Sequence, residues 1–121
     1  MQCTFKYNSN FKGIVELLSH ITETITFHFT ENGMNIQAMD PSHISLIYIE
    51  LFIDQFTNLD VPKPFTISLA TTTLKPIVRS IRDTDVVSLK VKEQSAIVDI
   101  ILDGILHLIQ KILHYIVKII I

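Results

Sequence analysis

The chain has 121 residues, 48% apolar and 18% charged, with a formal charge of −2. That suits one domain of ordinary size with a true core. It excludes a disordered chain and a protein that coats nucleic acid over its whole surface, leaving room only for a local basic face. The single Cys3 excludes an internal disulfide framework and a multi-cysteine zinc site. No basic start followed by an apolar run marks a secretory signal.

In chain order, Cys3, Phe5 and Tyr7 alternate with Gln2, Thr4 and Lys6, which predicts a half-buried strand. Asn8 and Ser9 offer a helix N-cap. Phe11, Ile14, Val15, Leu18 and Ile21 then recur at helical spacing and predict an amphipathic helix over 10–20. Ile25, Phe27 and Phe29 alternate with threonines and His28, the clearest strand in the chain. After the turn signal Glu31-Asn32-Gly33, Met34, Ile36 and Ala38 resume the alternation, which predicts a hairpin. Asp40-Pro41-Ser42 breaks it. Residues 44–53 read as a long strand, apolar on both faces and therefore central.

Residues 57–64, with Pro62 and Pro64, read as a crossing loop. The order then begins again. Phe65, Ile67 and Leu69 alternate as a strand. Leu74, Ile77, Val78 and Ile81 form a helical stripe, in which Pro76 is tolerated if it sits in the first turn. Val87, Leu89 and Val91 predict a further strand, and Ala96, Val98 and Ile100 another. The plan is β-α-β-β-β over 1–56, then β-α-β-β over 65–103, an internal repeat of pattern.

The tail remains. Eight of the 21 isoleucines fall in the last 21 residues, ILDGILHLIQKILHYIVKIII. Asp103, His107, Gln110, Lys111, His114 and Lys118 interrupt it, so it lacks the roughly 20 unbroken apolar residues of a membrane span. Periodicity favours a helix with these polar residues on one face. The repeat, and the abundance of Ile and Val, favour the missing last strand.

Residues 33–51, GMNIQAMDPSHISLIYIEL, carry the most specific pattern in the chain. This segment resembles the N-terminal domain of the proliferating cell nuclear antigen family of DNA sliding clamps. FKGIVELLSHI is similar to that family's first helix, and TLKPIVRSIRDTDVVSLKV to its second helix and following strand. The resemblance covers about residues 1–102 and implies an α+β fold. In it a β-α-β-β-β unit occurs twice in a single clamp-like domain, with two helices packed on antiparallel sheets. QKILHYIVKIII is more weakly similar to the family's domain-edge strand, which pairs with the next subunit. This implies a strand over 111–119, with Tyr115, Ile116, Val117, Lys118 and Ile119 at a subunit interface. The family chain holds two such domains and a connector; neither a second domain nor a connector is found in these 121 residues.

Lys75, Arg79 and Arg82 recur at i, i+4 and i+7, and no acid interrupts residues 71–82. Such a stripe lays cations along a phosphate backbone without reading bases, although three cations on a helix are more often just its solvated face. The resemblance implies that Lys12 and Arg79 face DNA; Lys75 and Arg82 join them by spacing. Pro76 stands at a position that is often basic. Met39, His43, Ile44 and Leu46 match the floor of the family's partner-peptide pocket, though Ile44 and Leu46 on a central strand are core residues by default. Asp40, Ser42 and His43 invite a catalytic reading, but three partners within four residues give poor geometry for one. His107 and His114 are too few for a metal site.

The expected function is a non-enzymatic sliding clamp or polymerase processivity factor, without cofactor or metal. The expected partners are double-stranded DNA without sequence preference, a DNA polymerase and other clamp-binding proteins, and other clamp domains in a homo-oligomer or on a partner chain. A membrane is not an expected partner. The implied location is the nucleus, or a viral replication site, the isoleucine content suggesting an AT-rich genome. The alternative is a truncated, non-encircling interaction module whose tail docks, as an amphipathic helix, on a partner or a membrane surface.

Overall fold

The computed structural model describes residues 1–42, 44, 46–92, 96–105 and 110–118, the last strand by its backbone and the Tyr115 and Val117 side chains. Its elements are β1 (Gln2–Phe5), α1 (Asn8–Leu18), β2 (Thr24–Thr30), β3 (Gly33–Met39), β4 (Leu46–Phe52), a 3-10 turn (Ile53–Gln55), β5 (Phe56–Asp60), β6 (Phe65–Ala70), α2 (Thr71–Arg79), β7 (Asp85–Lys90), β8 (Ile97–Ile105) and β9 (Gln110–Lys118).

Two antiparallel sheets form, in the orders β5-β1-β7-β8-β9 and β4-β3-β2-β6. Each unit lends its first strand to the other: β1 pairs with β7, and β6 pairs with β2. The strands that alternate in sequence alternate in burial, so Ile25, Phe27 and Phe29 point inward while Thr24, Thr26 and Thr30 do not. Phe5, Phe11, Phe27 and Phe29 form a chain of ring contacts with centroids 5.4, 6.4 and 6.3 Å apart, and Phe56 lies 5.2 Å from Phe5. These rings join β1, α1, β2 and β5 in one core.

The β2–β3 hairpin forms as its sequence predicts, Thr30 facing Gly33 across Glu31 and Asn32. Gly33 has φ +147°, and a Cβ there would run into the Leu51 carbonyl of β4. Only glycine permits both the backbone angle and the close approach.

Several expectations need correction. Residues 44–53 do not form a central strand: β4 is the edge of the four-stranded sheet, and Leu46, Tyr48, Glu50 and Phe52 point into solvent. Both of its faces are apolar, but only Ile47, Ile49 and Leu51 turn toward the core. The crossing loop is shorter than 57–64, because Phe56–Asp60 is a strand paired to β1. Asn8 caps nothing, since the N-cap of α1 is Tyr7 and makes no side-chain cap bond. Pro76 lies past the first turn of α2. Its missing N–H leaves the Thr72 carbonyl without an i+4 donor, and both residues are exposed, so water can take that bond.

Within the tail, residues 101–105 complete β8 and Gln110–Lys118 form a strand, β9. Gln110–Lys118 pairs residue for residue with β8, from Ile105↔Gln110 to Ile97↔Lys118. That overturns the helical periodicity, because cross-strand pairing with β8 satisfies the backbone and places Val117 in the core at 3% exposure. No helix among the described residues is long and apolar enough to cross a membrane.

Candidate nucleic-acid interface

α1 and α2 pack against each other. The start of each lies beside the segment that follows the other. Asn8, first in α1, bonds the carbonyls of Arg82, Asp83 and Asp85 beyond α2. Thr71, first in α2, bonds the carbonyls of Thr22 and Glu23 beyond α1, and its own N–H donates to Glu23 O at 2.9 Å. The helices are therefore antiparallel, and their buried stripes (Phe11, Ile14, Val15 and Leu18; Leu74, Ile77 and Val78) face the sheets.

Their solvent sides carry the candidate DNA contacts. Lys75 and Arg79 share a groove of about 190 Å³ with Glu16, Ser19 and His20 of the α1 side. A wider cleft of about 640 Å³ opens beside it, where His20 and Lys75 meet Glu23, Asp40, Thr71 and Thr72. Lys12 lies on α1 one turn before Glu16, and His20 follows the end of that helix at Leu18. Arg82 is not on the helix, as the i+7 spacing predicted. α2 ends at Arg79, the Ser80 hydroxyl bonds Ile77 O at 2.6 Å, and the Arg82 N–H is taken by the Asp85 carboxylate at 2.8 Å. Arg82 thus extends from a turn, exposed, at the end of the helix pair where α1 begins. His20, which lines the groove from the turn just past α1, is not singled out by the sequence reading, although helical spacing from Lys12 and Glu16 points to it.

Of the partner-pocket residues, Met39 also lines the wider cleft, whereas Ile44 and Leu46 do not. Met39 is 45%, Ile44 85% and Leu46 61% exposed, so the core assignment of Ile44 and Leu46 is corrected. Met39 faces Leu46 across β3–β4, and the apolar strip continues along the β4 edge through Tyr48 and Phe52 to Ile53. Partial loss of hydration raises the Tyr48 phenol pKa above its ordinary value, and the Glu50 carboxylate that accepts its hydrogen bond raises it further. Asp40 organises the turn before β4, accepting the Ile44 N–H at 2.9 Å and the Ser42 hydroxyl. His43 falls outside the described residues, as do Ile119 and the side chains of Ile116 and Lys118. Among the described residues no three His, Cys, Asp or Glu side chains converge as metal ligands.

This two-unit layout of interlocked sheets and antiparallel helices defines an α+β clamp-type domain. It superposes on the crystal structure of proliferating cell nuclear antigen from Thermococcus kodakaraensis with a TM-score of 0.86, covering 98% of this chain and 46% of that one at 18% identity. A family model described as proliferating cell nuclear antigen, N-terminal domain, matches residues 1–120. The chain belongs to that family. It is 31% identical over 81 residues to a DNA polymerase sliding clamp of Picrophilus torridus, covering 65% of this chain and 33% of the relative. To a DNA polymerase sliding clamp of Pyrococcus furiosus it is 29% identical over 94 residues, covering 78% and 38%. To the proliferating cell nuclear antigen of Saccharomyces cerevisiae it is 27% identical over 89 residues, covering 74% and 34%. The matches thus span about a third of the length of these relatives.

Proposed function

We propose that the chain serves as a domain of a DNA sliding clamp, a non-enzymatic processivity factor at the site of replication. The observation that carries this reading is the antiparallel helix pair with Lys75 and Arg79 in one groove, on a chain of the clamp family. Lys12, Lys75, Arg79 and Arg82 would neutralise phosphates of duplex DNA, a mode that holds without reading sequence and lets the protein move along the helix.

The outer strip supports the second half of the reading. Exposed Met39, Ile44 and Leu46 offer a flexible apolar floor to an aromatic-anchored segment of a polymerase or another clamp-binding protein. Two sheet edges support assembly. Among the described residues, β9 stands at one end of the five-stranded sheet with no strand on its outer side, and β4 does so in the other sheet. The backbone of β9 through Tyr115, Ile116, Val117 and Lys118 would meet a neighbouring clamp domain, a copy of this chain or a partner chain, with the Val117 side chain turned into the core, closing edges that otherwise invite aggregation.

The test is retention on DNA. The purified chain, with its clamp loader and any partner chain it recruits, is expected to stay on a closed circular duplex and to run off once the circle is cut. Sedimentation would show a closed ring. A strict monomer that leaves circular and linear DNA equally fast would contradict the proposal.

A further inference from the structure

We propose that Asn8 is a positioning residue for Arg82, holding its turn so that the guanidinium points away from the fold toward duplex DNA. The inference rests on the clamp reading above and adds a residue to it.

The Asn8 amide nitrogen lies 2.9 Å from Arg82 O, 3.1 Å from Asp83 O and 2.8 Å from Asp85 O. An amide NH2 has two protons, so three carbonyls saturate it with one bond shared. Three acceptors on one side also fix which end of the amide faces them, because its oxygen would be repelled. The turn is closed from within as well. Asp85 N–H donates to Arg82 O at 3.0 Å, and the Asp85 carboxylate, in a residue only 9% exposed, accepts the Arg82 N–H at 2.8 Å.

The backbone oxygens of Arg82, Asp83 and Asp85 therefore converge on Asn8, while Arg82, Asp83 and Thr84 are exposed. Helical periodicity does not direct Arg82, since α2 has already ended. Its direction is set from another element, 74 residues away in sequence. Asn8 gives up a capping role for this: α1 starts without a side-chain cap and with no acid in its first turn.

That arrangement yields a sign test. At a helix start an aspartate is ordinarily favourable, through the helix dipole. Asn8→Asp would instead aim a carboxylate at three carbonyls and open the turn, so it should lower the thermal midpoint. A residue serving only α1 would show the reverse.

The binding test is a double-mutant cycle on the full chain, with a short mixed-sequence duplex titrated over a range of NaCl. Arg82→Gln should lower the slope of log affinity against log salt by about 0.9, the loss of one phosphate contact. Asn8→Ala should lower it by a similar or smaller amount, and should cost nothing further in the Arg82→Gln background. Asn8→Ser, which keeps one donor, should fall between, and it carries the test if the alanine variant does not fold. A loss from Asn8→Ala that is equal in both backgrounds, or no loss at all while Arg82→Gln weakens binding, overturns the positioning role alone. An unchanged slope in Arg82→Gln overturns that role together with the DNA-facing assignment of Arg82.

Discussion

The helix pair and the β4 edge solve opposite problems in one small domain. The helices are locked. Thr71 and Asn8 clasp the segment beyond the partner helix, buried stripes face the sheets, and the solvent side is mostly polar and charged, with Leu17 and Pro76 exposed among them. The β4 edge is open, with Leu46, Tyr48, Phe52 and Ile53 exposed and no strand on its outer side among the described residues. An exposed apolar edge is an aggregation liability when left open and a docking surface when a partner covers it. The contrast teaches that the helix side is tied down by side-chain bonds between distant segments, whereas the β4 edge is largely apolar and exposed; the two meet at the cleft where Met39 stands beside His20 and Lys75.

Changes at the shared core should break the contrast outright. Phe27 sits in the aromatic chain at 0% exposure, and Phe27→Ala should cost about 3–5 kcal/mol by denaturant unfolding, loosening both regions together. Alkaline pH acts on the same core through Cys3. Burial pushes its thiol from 9.0 up to about 12, so the fold disfavours the thiolate. That contribution is complete below pH 9 and is lost as pH rises toward 12, by at most about 1.4 kcal/mol per pH unit. Urea unfolding from pH 8 upward should show the decline, and Cys3→Ala should flatten it.

Smaller changes should separate the two regions. Thr71 is 3% exposed and its hydroxyl is shared between the Thr22 and Glu23 carbonyls at 3.2 and 3.1 Å. Thr71→Val keeps the shape and removes the donor, so stability should fall by about 1–2 kcal/mol with the β4 side untouched. At the other side, Leu46→Ser with Phe52→Ser should shift stability by no more than about 0.5 kcal/mol. The same pair should abolish capture of an aromatic-anchored clamp-binding peptide, read by fluorescence anisotropy. A large stability loss there would mean that the strip belongs to the core after all.

Local pattern carried much of this fold. The β2–β3 hairpin, both helices and the strands around Val87 and Val98 follow from period and turn residues that act within a few positions. What was not legible depends on distant pairing. β4 is apolar on both faces, and nothing within residues 46–52 says that no strand lies beyond it. Phe56–Asp60 has too little alternation to be seen as a strand without its partner β1. The tail's helical period is real, but pairing with β8 outweighs it. At the candidate site, Lys75 and Arg79 were legible from helical spacing. Arg82 was misplaced, because the Asp85 and Asn8 bonds that define its turn span 3 and 74 residues.

The central claim, that the helix side meets the DNA backbone, is tested most directly by one salt titration. Duplex affinity would be measured for the chain and for a variant with Lys12, Lys75, Arg79 and Arg82 all changed to Gln. The account predicts a shallower dependence on log salt, by about 0.9 for each phosphate contact removed. Parallel slopes for the two proteins would contradict it.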